Sequence, residues 1–441
     1  MSRLAGQVAA SLAGGDGLEA AELAIRAGMM ALGRGLLEPL LAADGGYRGP
    51  RAPCGAGHQA PFVSYRGKCV DTAVGPVAVR RAWYHCPACG HGFAPRDAEL
   101  GVAGQSVSPG LAKMSDRAAA AVPFAPAARL VGELAGITLT GRRLGRRAEA
   151  DGAASAEMIG ARAAAISSGR MAAFIPAREL PGMLYICIDG TGCPVIAAET
   201  EGRDRKDDSA KVHTREVKMV VVFTQTTTGA DGCPVRDPAS SSYAATFAPA
   251  AEFGTLMAAE ARRRGAAHVR QLVILGDGAA WIWNLATRHF PEATQIVDLY
   301  HARQHLHELA GLLEFMLGDA RDSWLHTRLD ELDAGDIAAI CAAARAFPLA
   351  GSKADDLATA LGYFEHNAHR MRYRHFRALG MFVGSGVVEA GCKSIVRQRL
   401  KLAGMKWSIA GATGILTLRC LDASDRWDEI CTQPGSNTPA A

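Results

Sequence analysis

Two apolar runs that end in aspartate, YICIDGT at residues 185–191 and LVILGDGAAW at residues 272–281, decide the fold class of this chain. Both runs are rich in aliphatic and β-branched residues and both are followed by glycine, which is typical of buried strands. Asp189 and Asp277 stand where the apolar runs stop. We therefore expect each carboxylate to project from the end of a buried strand.

The residues around these runs predict an alternation of strands and helices. We expect strands at 183–188, 216–224, 242–247, 272–275 and 295–298, with helices at 250–264 and 279–288. This βββαβαβ order, with a helix to follow, is the order of the ribonuclease H-like fold, a mixed sheet with helices on its faces. Asp189 and Asp277 then belong to its first and fourth strands.

A third acidic motif, GSGVVEAGCK at residues 384–393, contains Glu389. Between Asp277 and Glu389 lie 111 residues, and most of them, from 301 to 378, have the helical spacing of Ala, Leu and charged residues. That length is too great for a direct connection. The pattern predicts an all-helical insertion, about 301–380, before the helix that carries Glu389.

Two aspartates and a glutamate from separate elements suit phosphoryl transfer. In-line displacement at phosphate is stabilised by two divalent cations about 3.5–4 Å apart, and Mg²⁺ prefers carboxylate and water oxygens. The pattern indicates nucleic-acid chemistry with two Mg²⁺ ions, or Mn²⁺ as a substitute, held by Asp189, Asp277 and Glu389. The alternative is that the aspartates cap the following turn or helix and that Glu389 only favours a helix N-terminus.

A small β unit at residues 49–100 contains Cys86-Pro-Ala-Cys89, preceded by Cys54 and His58. A C-x-x-C turn directs two thiolates at one ion, and a second pair of ligands would complete a closed tetrahedral Zn²⁺ site. We expect a structural zinc ribbon with Cys54, His58, Cys86 and Cys89 as its ligands. Three other soft donors stay open as alternatives: Cys69, His85 and His91.

Two basic segments are candidates for DNA contact. Residues 127–149 have the pattern of a helix-turn-helix, with a turn at Gly136 and a second helix that carries Arg142, Arg143, Arg146 and Arg147. Arginines at one-turn spacing suit contacts in a DNA major groove, although a solvated helix face has the same pattern. The other segment follows Glu389 and is placed to hold a DNA backbone, with Lys393, Arg397, Arg399, Lys401 and Lys406.

Length and composition predict a multidomain α/β protein. The 441 residues suffice for two or three domains, the net charge of +4 permits a polyanionic partner without demonstrating one, and eleven cysteines suit reduced thiols with a metal site. No apolar run is long enough to span a membrane and no signal-peptide core is present, so we expect a cytoplasmic, nucleoid-associated protein.

The predicted boundaries follow changes in composition, the main one near Pro176 and Pro181. We expect a helical segment at 1–48, the ribbon at 49–100, a helical DNA-binding region at 101–176, a catalytic domain at 177–428 and a disordered tail at 429–441.

Several motifs together resemble one family. CPACGHGFAP, IDGTGCP, REVKM, LGDGAAWIW, DLYHARQHL, GSGVVEAGCK and RLKLAGMKWS are similar to motifs of the ISKra-type insertion-sequence transposases, DDE transposases with a ribonuclease H-like core. The resemblance covers about residues 50–428. It implies that Asp189, Asp277 and Glu389 form the DDE triad, and that Asp298 and His301 match a C/D-x-x-H signature of related transposases. The ribbon departs from the family, since one cysteine and a histidine stand where two clear ligands are expected.

The resemblance implies a protein that binds the terminal inverted repeats of its element as a homo-oligomer on double-stranded DNA. It would hydrolyse a phosphodiester and direct the resulting 3′-hydroxyl at target DNA. One alternative is a ribonuclease H-like nuclease that cuts without strand transfer. The other is a DNA-binding regulator that has lost catalysis.

Overall fold

A computed structural model of the chain describes Gly6 and residues 17–173, 182–201, 213–230 and 232–430. The chain divides into two compact units, Met1–Ser155 with Glu429–Ala441, and Ala156–Asp428. The division falls inside a long helix, Gly141–Ser167. The predicted boundary at Pro176 and Pro181 lies outside the described residues, and so does the predicted tail beyond residue 430.

The first unit contains a four-stranded antiparallel sheet, which confirms the small β unit expected near residues 49–100. Its strands are adjacent in chain order: β1 (Arg51–Pro53), β2 (Gln59–Thr72), β3 (Gly75–His85) and β4 (Gly92–Phe93). Helix α1 (Gly17–Ala42) precedes the sheet and packs Leu37 and Leu41 against its buried valines. These contacts form one apolar core on the sheet, at the end away from β1.

Four more α-helices begin in the described part of this unit: α2 (Pro95–Glu99), α3 (Pro109–Ala121), α4 (Phe124–Leu130), which a π-helical segment (Val131–Ala135) continues, and α5 (Gly141–Ser167). Between α4 and α5 the backbone turns at Gly136, whose φ of 70° lies in the left-handed region that favours glycine. The predicted order of helix, turn and helix is therefore confirmed. A Cβ at Gly145 would lie 2.7 Å from Cδ2 of Phe124, so glycine there lets α5 cross α4 closely.

A pair of buried carboxyl groups links α3 to α5. Asp116 is fully buried on α3 and Asp151 is 1% exposed on α5. Arg147 donates from Nε to Asp151 Oδ2 at 2.6 Å. Burial, together with the negative charge of Asp151, raises the pKa of Asp116 well above its ordinary value. Asp116 therefore binds a proton more tightly in the folded chain than in the unfolded one.

We expect Asp116→Asn to stabilise the first unit at neutral and alkaline pH. A carboxyl whose pKa is raised by folding costs stability as pH rises from the unfolded value of about 3.9 through the raised folded value. The substitution removes that charge at nearly constant volume, and each tenfold change in proton affinity corresponds to about 1.4 kcal/mol. Urea unfolding at about pH 5 and about pH 9 should show a smaller loss of stability for the variant. Identical pH profiles would contradict the assignment.

The second unit is built on a mixed five-stranded sheet. In chain order its strands are β5 (Met183–Pro194), β6 (Thr214–Gln225), β9 (Ser242–Thr246), β10 (Gln271–Gly276) and β11 (Thr294–Val297), while β7 (Thr227–Thr228) and β8 (Pro234–Val235) form a separate hairpin. The spatial order is β11-β10-β5-β6-β9, with β5, β10 and β11 parallel and with β6 antiparallel to β5 and β9. All five predicted strands are present.

The helices of this unit also follow the predicted order. Two of them alternate with strands, α6 (Ala250–Arg263) and α7 (Ala280–His289). The predicted helical insertion consists of α8 (Leu299–Leu312), α9 (Glu314–Leu317), α10 (Arg321–Ala334), α11 (Ile337–Arg345), α12 (Ser352–Asn367) and α13 (Tyr373–Ala378). After the insertion come α14 (Gly386–Gly391), a π-helical segment (Cys392–Arg397), α15 (Gln398–Leu400) and α16 (Ile409–Ala423). Among the described residues, no helix is both long and apolar enough to cross a membrane.

Candidate functional site

Asp189 lies inside a strand, so the prediction that it ends one is wrong. Strand β5 continues past it to Pro194, because the segment after Asp189 keeps pairing with β6 up to Thr214. Gly190 does not break the strand. It lies beside Glu216, whose Oε1 would be 2.6 Å from a Cβ at position 190. The glycine thus makes room for a neighbouring side chain while the hairpin continues.

Asp277 directly follows β10, as predicted. Its Oδ1 accepts a hydrogen bond from the Ala279 backbone N–H at 2.9 Å, the turn-capping role that we considered as the alternative. Its backbone oxygen accepts a hydrogen bond from the Tyr363 hydroxyl at 3.0 Å. Gly278, which lies between Asp277 and Ala279, has a φ of 101°, and a Cβ there would lie 2.5 Å from the Tyr363 ring. Helix α12 therefore holds the turn that carries Asp277.

The two aspartates lie at the same level of adjacent parallel strands. The register pairs Leu275 with Cys187. Asp277 lies two residues after Leu275, and Asp189 lies two residues after Cys187. Burial raises the pKa of Asp189, and the charge of Asp277 adds to that shift, whereas His301 acts in the opposite direction. Asp189 is thus a partly buried carboxyl group whose pKa the negative charge of Asp277 also raises.

Asp298 forms hydrogen bonds to three elements: the end of β10, the start of α8 and the start of α14. It is 1% exposed and its backbone N–H donates to Gly276 O at 2.8 Å, next to Asp277. Its Oδ1 accepts from the His301 backbone N–H at 2.8 Å, which caps α8, and its Oδ2 accepts from the Ser385 backbone N–H at the start of α14. The buried carboxylate therefore positions both His301 and the entry to the helix that carries Glu389.

Glu389 does not join the two aspartates. Its side chain is 61% exposed and forms an ion pair with Lys393, with Oε1 and Nζ 2.6 Å apart. Cys392, three residues further on, contacts Asp189 instead, with Sγ 3.3 Å from Oδ2. Burial raises the pKa of the Cys392 thiol, so it stays protonated and donates to the carboxylate. In the described part of the chain, these carboxylates do not form a group with ligand atoms within 4.8 Å of one another.

A separate Cys/His cluster in the first unit could hold a metal ion. The ligand atoms of Cys54, His58, Cys86 and Cys89 all lie within 4.8 Å of one another, so the four predicted residues are brought together. Cys54 Sγ is 3.7 Å from His58 Nδ1 and 3.8 Å from Cys89 Sγ. The three alternatives, Cys69, His85 and His91, are not members of this group. The His91 ring stacks on Phe93, with the ring centroids 5.6 Å apart.

The turns around this cluster favour a thiolate. Gly55, Gly57 and Gly90 all have φ between 70° and 82°, which lets the backbone fold tightly around the ligands. The Ala56 backbone N–H donates to the Cys54 sulfur and is the main cause that lowers the Cys54 pKa to about 6. A thiolate is the form of cysteine that binds metal, so the local backbone prepares this ligand.

The four predicted DNA-contacting arginines of α5 fall into two classes. Arg142 and Arg146 are exposed. Arg143 pairs with Asp71 at 2.6 Å and also donates to Ser106, and Arg147 pairs with Asp151. The second class, Arg143 and Arg147, is thus held by ion pairs and hydrogen bonds within the first unit.

The basic residues after Glu389 divide in the same way. Arg397 and Lys406 are exposed, and Lys393 is paired with Glu389. Lys401 donates to the Thr191 hydroxyl at 2.6 Å, on the strand that carries Asp189. Arg399 is fully buried, with its guanidinium 5.1 Å from the Trp407 ring centroid. Arg399 therefore supports the fold and is not placed to contact a DNA backbone, contrary to the expectation.

We call Asp189 and Asp277 with their contacts the acidic site. Three of its residues were not singled out from sequence: Tyr363, Cys392 and Thr191, the partner of Lys401. Cys392 belongs to the quoted GSGVVEAGCK motif, but its contact with Asp189 had no signal in the sequence, because the two residues are 203 positions apart. The contact of Tyr363 had no signal either, since Tyr363 lies 86 residues from Asp277.

No protein-family model matches this chain, and no curated protein matches it.

Proposed function

We propose that this protein is a DNA transposase of the DDE type whose reaction centre contains Asp189 and Asp277. The observation that carries the proposal is the placement of these two carboxylates at one level of adjacent parallel strands, within electrostatic reach of each other. Paired carboxylates of this kind suit metal-assisted hydrolysis of phosphodiesters.

The sheet supports the proposal. In a ribonuclease H-like fold the first strand is central, strands two and three extend antiparallel on one side, and strands four and five lie parallel to it on the other. The order β11-β10-β5-β6-β9 and the observed strand directions agree with that arrangement. The two aspartates then occupy strand one and the end of strand four, where this fold would hold its catalytic acids.

The donor set of the acidic site fits Mg²⁺ or Mn²⁺ at the aspartate pair, because both are hard cations that prefer carboxylate oxygens. When bound, the ions would stabilise charge on the attacking and leaving oxygens at phosphate. Asp189 and Asp277 would hold them, with Asp298 accepting a hydrogen bond from the His301 backbone N–H beside the adjoining strand end.

Glu389 would complete the triad only after it leaves Lys393. That ion pair is exposed on both sides, and exposed i,i+4 pairs contribute about 0.3–0.5 kcal/mol. A cation near Glu389, or a DNA phosphate near Lys393, would compete with this weak pair. Helix α14, which carries Glu389, packs on β5 and β6.

We infer that the Cys/His cluster holds one structural Zn²⁺. Three cysteines and one histidine make a closed set of soft donors, with no position left for substrate. The ribbon would then support DNA binding by the first unit. It would take no part in the chemistry.

DNA recognition by α5 is testable with variants of its two classes of arginine. Arg142→Ala and Arg146→Ala should weaken binding to the terminal repeat more than binding to random duplex, because a base-edge contact contributes about 1–3 kcal/mol of discrimination. Lys406→Ala should weaken both equally and flatten the salt dependence, since phosphate contacts carry no sequence information. Salt titrations with both duplexes measure the difference.

The matched control is Arg143→Ala, which should lower stability through loss of the Asp71 and Ser106 contacts without a selective loss of repeat binding. Equal weakening of repeat and random duplex by Arg142→Ala and Arg146→Ala would show that α5 is not the recognition helix.

The type of DNA product distinguishes the proposed function from its alternatives. Purified protein is incubated with Mg²⁺ and a duplex that carries the sequence flanking its gene, together with plasmid target. Joined donor and target products support a transposase. Cut products alone would support a nuclease without strand transfer, and retarded but intact duplex would support a regulator without catalysis.

A further inference from the structure

A cavity in the first unit lies against the four-stranded sheet, beside the Cys/His cluster, and we call it the ribbon pocket. Its volume is about 490 Å³, within the roughly 300–1,000 Å³ that is usual for ligand pockets. Its lining includes Lys68 of β2, Arg81 and Trp83 of β3, and Asp97 of α2. Exposed residues such as Gly55 also line it, so the pocket opens to solvent.

The polar part of the ribbon pocket carries more positive than negative charge. The side chains of Lys68, Arg81 and Asp97 are 13%, 10% and 9% exposed. Lys68 Nζ lies 3.1 Å from Asp97 Oδ2, and Arg81 Nε lies 2.7 Å from Asp97 Oδ1. With histidine neutral, the described residues that line the pocket include these two cations and this one carboxylate, so one positive charge is in excess. Because buried charges are normally paired, the excess favours an anionic ligand.

The other part of the ribbon pocket is aromatic. Trp83 is partly buried, and a Cβ at Gly92 would lie 2.6 Å from its Cζ2, so glycine on β4 lets the indole lie against that strand. The Arg66 guanidinium lies 4.5 Å from the Trp83 ring centroid and adds a further positive charge beside the pocket. His91 and Phe93, whose rings stack, also line it. Aromatic rings next to cationic side chains form the kind of surface on which unpaired bases stack.

We propose that the ribbon pocket binds a single unpaired nucleotide, with its base against Trp83 and its phosphate near Lys68 and Arg81. An anion alone would make no use of the aromatic wall, and a base alone would leave the excess positive charge without a partner. The nucleotide is either free or part of an unpaired DNA strand, since both offer the same base and phosphate. The proposal does not rest on the function proposed above, because it concerns the first unit and involves no cleavage.

Isothermal titration calorimetry of the full chain tests the proposal, with deoxyadenosine monophosphate as the probe. The wild type should bind this nucleotide more tightly than it binds inorganic phosphate. Trp83→Leu should weaken nucleotide binding at least about fivefold, the loss expected for one stacked base, whereas Trp83→Phe keeps a ring and should retain most of the affinity.

Lys68→Gln is the second variant, and it keeps the test valid if Trp83→Leu impairs folding. It should weaken nucleotide binding and lower the salt dependence by about one released ion, because a phosphate contact is lost. Arg81 still pairs with Asp97 in this variant, so no buried carboxylate is left without a partner.

Tyr65→Leu and Arg80→Gln are the matched controls. Arg80 is next to Arg81 on β3 and Tyr65 pairs with Ala82, so both side chains lie on the opposite face of the sheet from the ribbon pocket. The Arg80 guanidinium lies 4.3 Å from the Tyr65 ring centroid, so the controls remove the same types of side chain as the test variants. Both should bind the nucleotide as the wild type does. Unchanged thermal unfolding should show that the variants are folded.

A single-stranded oligodeoxyadenylate of about eight nucleotides identifies the source of the nucleotide. If Trp83→Leu weakens binding of this strand, the pocket accepts a nucleotide within DNA. If it weakens binding of the mononucleotide alone, the ligand is a free nucleotide. The proposal is overturned if Trp83→Leu and Lys68→Gln bind both probes like the wild type, or if inorganic phosphate binds the wild type as tightly as the mononucleotide does. Equal losses in Tyr65→Leu and Arg80→Gln would also overturn it.

Discussion

Asp189→Asn and Asp277→Asn should each reduce Mg²⁺-dependent DNA cleavage by about 10³-fold or more, because a catalytic metal contributes several kcal/mol to the transition state and each 1.4 kcal/mol is tenfold in rate. Glu389→Gln should have a similar effect if Glu389 leaves Lys393 during the reaction. All three substitutions remove a charge at nearly constant volume. DNA binding and thermal unfolding should therefore change little. The measurement is cleavage of end-labelled duplex under single-turnover conditions.

Asp322→Asn serves as the control for these variants, because the Asp322 side chain is 94% exposed in the same unit and lies in the helical insertion. Its cleavage rate should equal that of the wild type. Wild-type cleavage by Asp189→Asn or Asp277→Asn would remove that residue from the reaction centre. Wild-type cleavage by Glu389→Gln alone would leave the aspartate pair in place and exclude the third member of the triad.

The second large effect concerns the Cys/His cluster. Purified protein should contain about one zinc ion per chain, and Cys86→Ser combined with Cys89→Ser should lose it. The four-stranded sheet should then lose much of its stability, because metal binding at such a site is coupled to folding. Metal analysis by mass spectrometry and thermal unfolding measure the two effects.

Cys69→Ser is the matched control for the ribbon, since Cys69 is exposed on β2 and lies outside the cluster. It should keep both the zinc and the unfolding temperature of the wild type. Freshly purified wild type without zinc, prepared without chelator, would contradict the assignment. Full zinc content in the double variant would show that other ligands hold the ion.

Local patterns predicted the features that depend on nearby residues. The five strands, the helical insertion and the Gly136 turn each follow from periodicity and from glycine within a short window. The metal cluster was predictable for the same reason. Its two ligand pairs, Cys54 with His58 and Cys86 with Cys89, each belong to one turn, and the turns alone bring each pair together.

The errors at Asp189 and Arg399 concern residues whose surroundings come from distant parts of the chain, whereas Glu389 pairs with Lys393 only four residues further on. Asp189 was expected at a strand end because glycine follows it, but pairing with β6 carries the strand through. Arg399 was expected on the surface because its neighbours are basic, yet it is buried beside Trp407. Arg143 likewise contacts two residues that lie far away in sequence, Asp71 and Ser106. Helical spacing alone could not separate Arg143 from the exposed Arg142.

Direct binding of Mn²⁺ tests the central claim that Asp189 and Asp277 together hold a cation. Electron paramagnetic resonance of zinc-loaded protein titrated with Mn²⁺ should show bound metal in the wild type, and binding should weaken as pH falls, because protonation at the raised pKa of Asp189 removes a ligand. We expect Asp189→Asn and Asp277→Asn each to lose this signal while Asp322→Asn keeps it. Mn²⁺ binding of equal affinity in all four proteins, or none in the wild type, would contradict the claim.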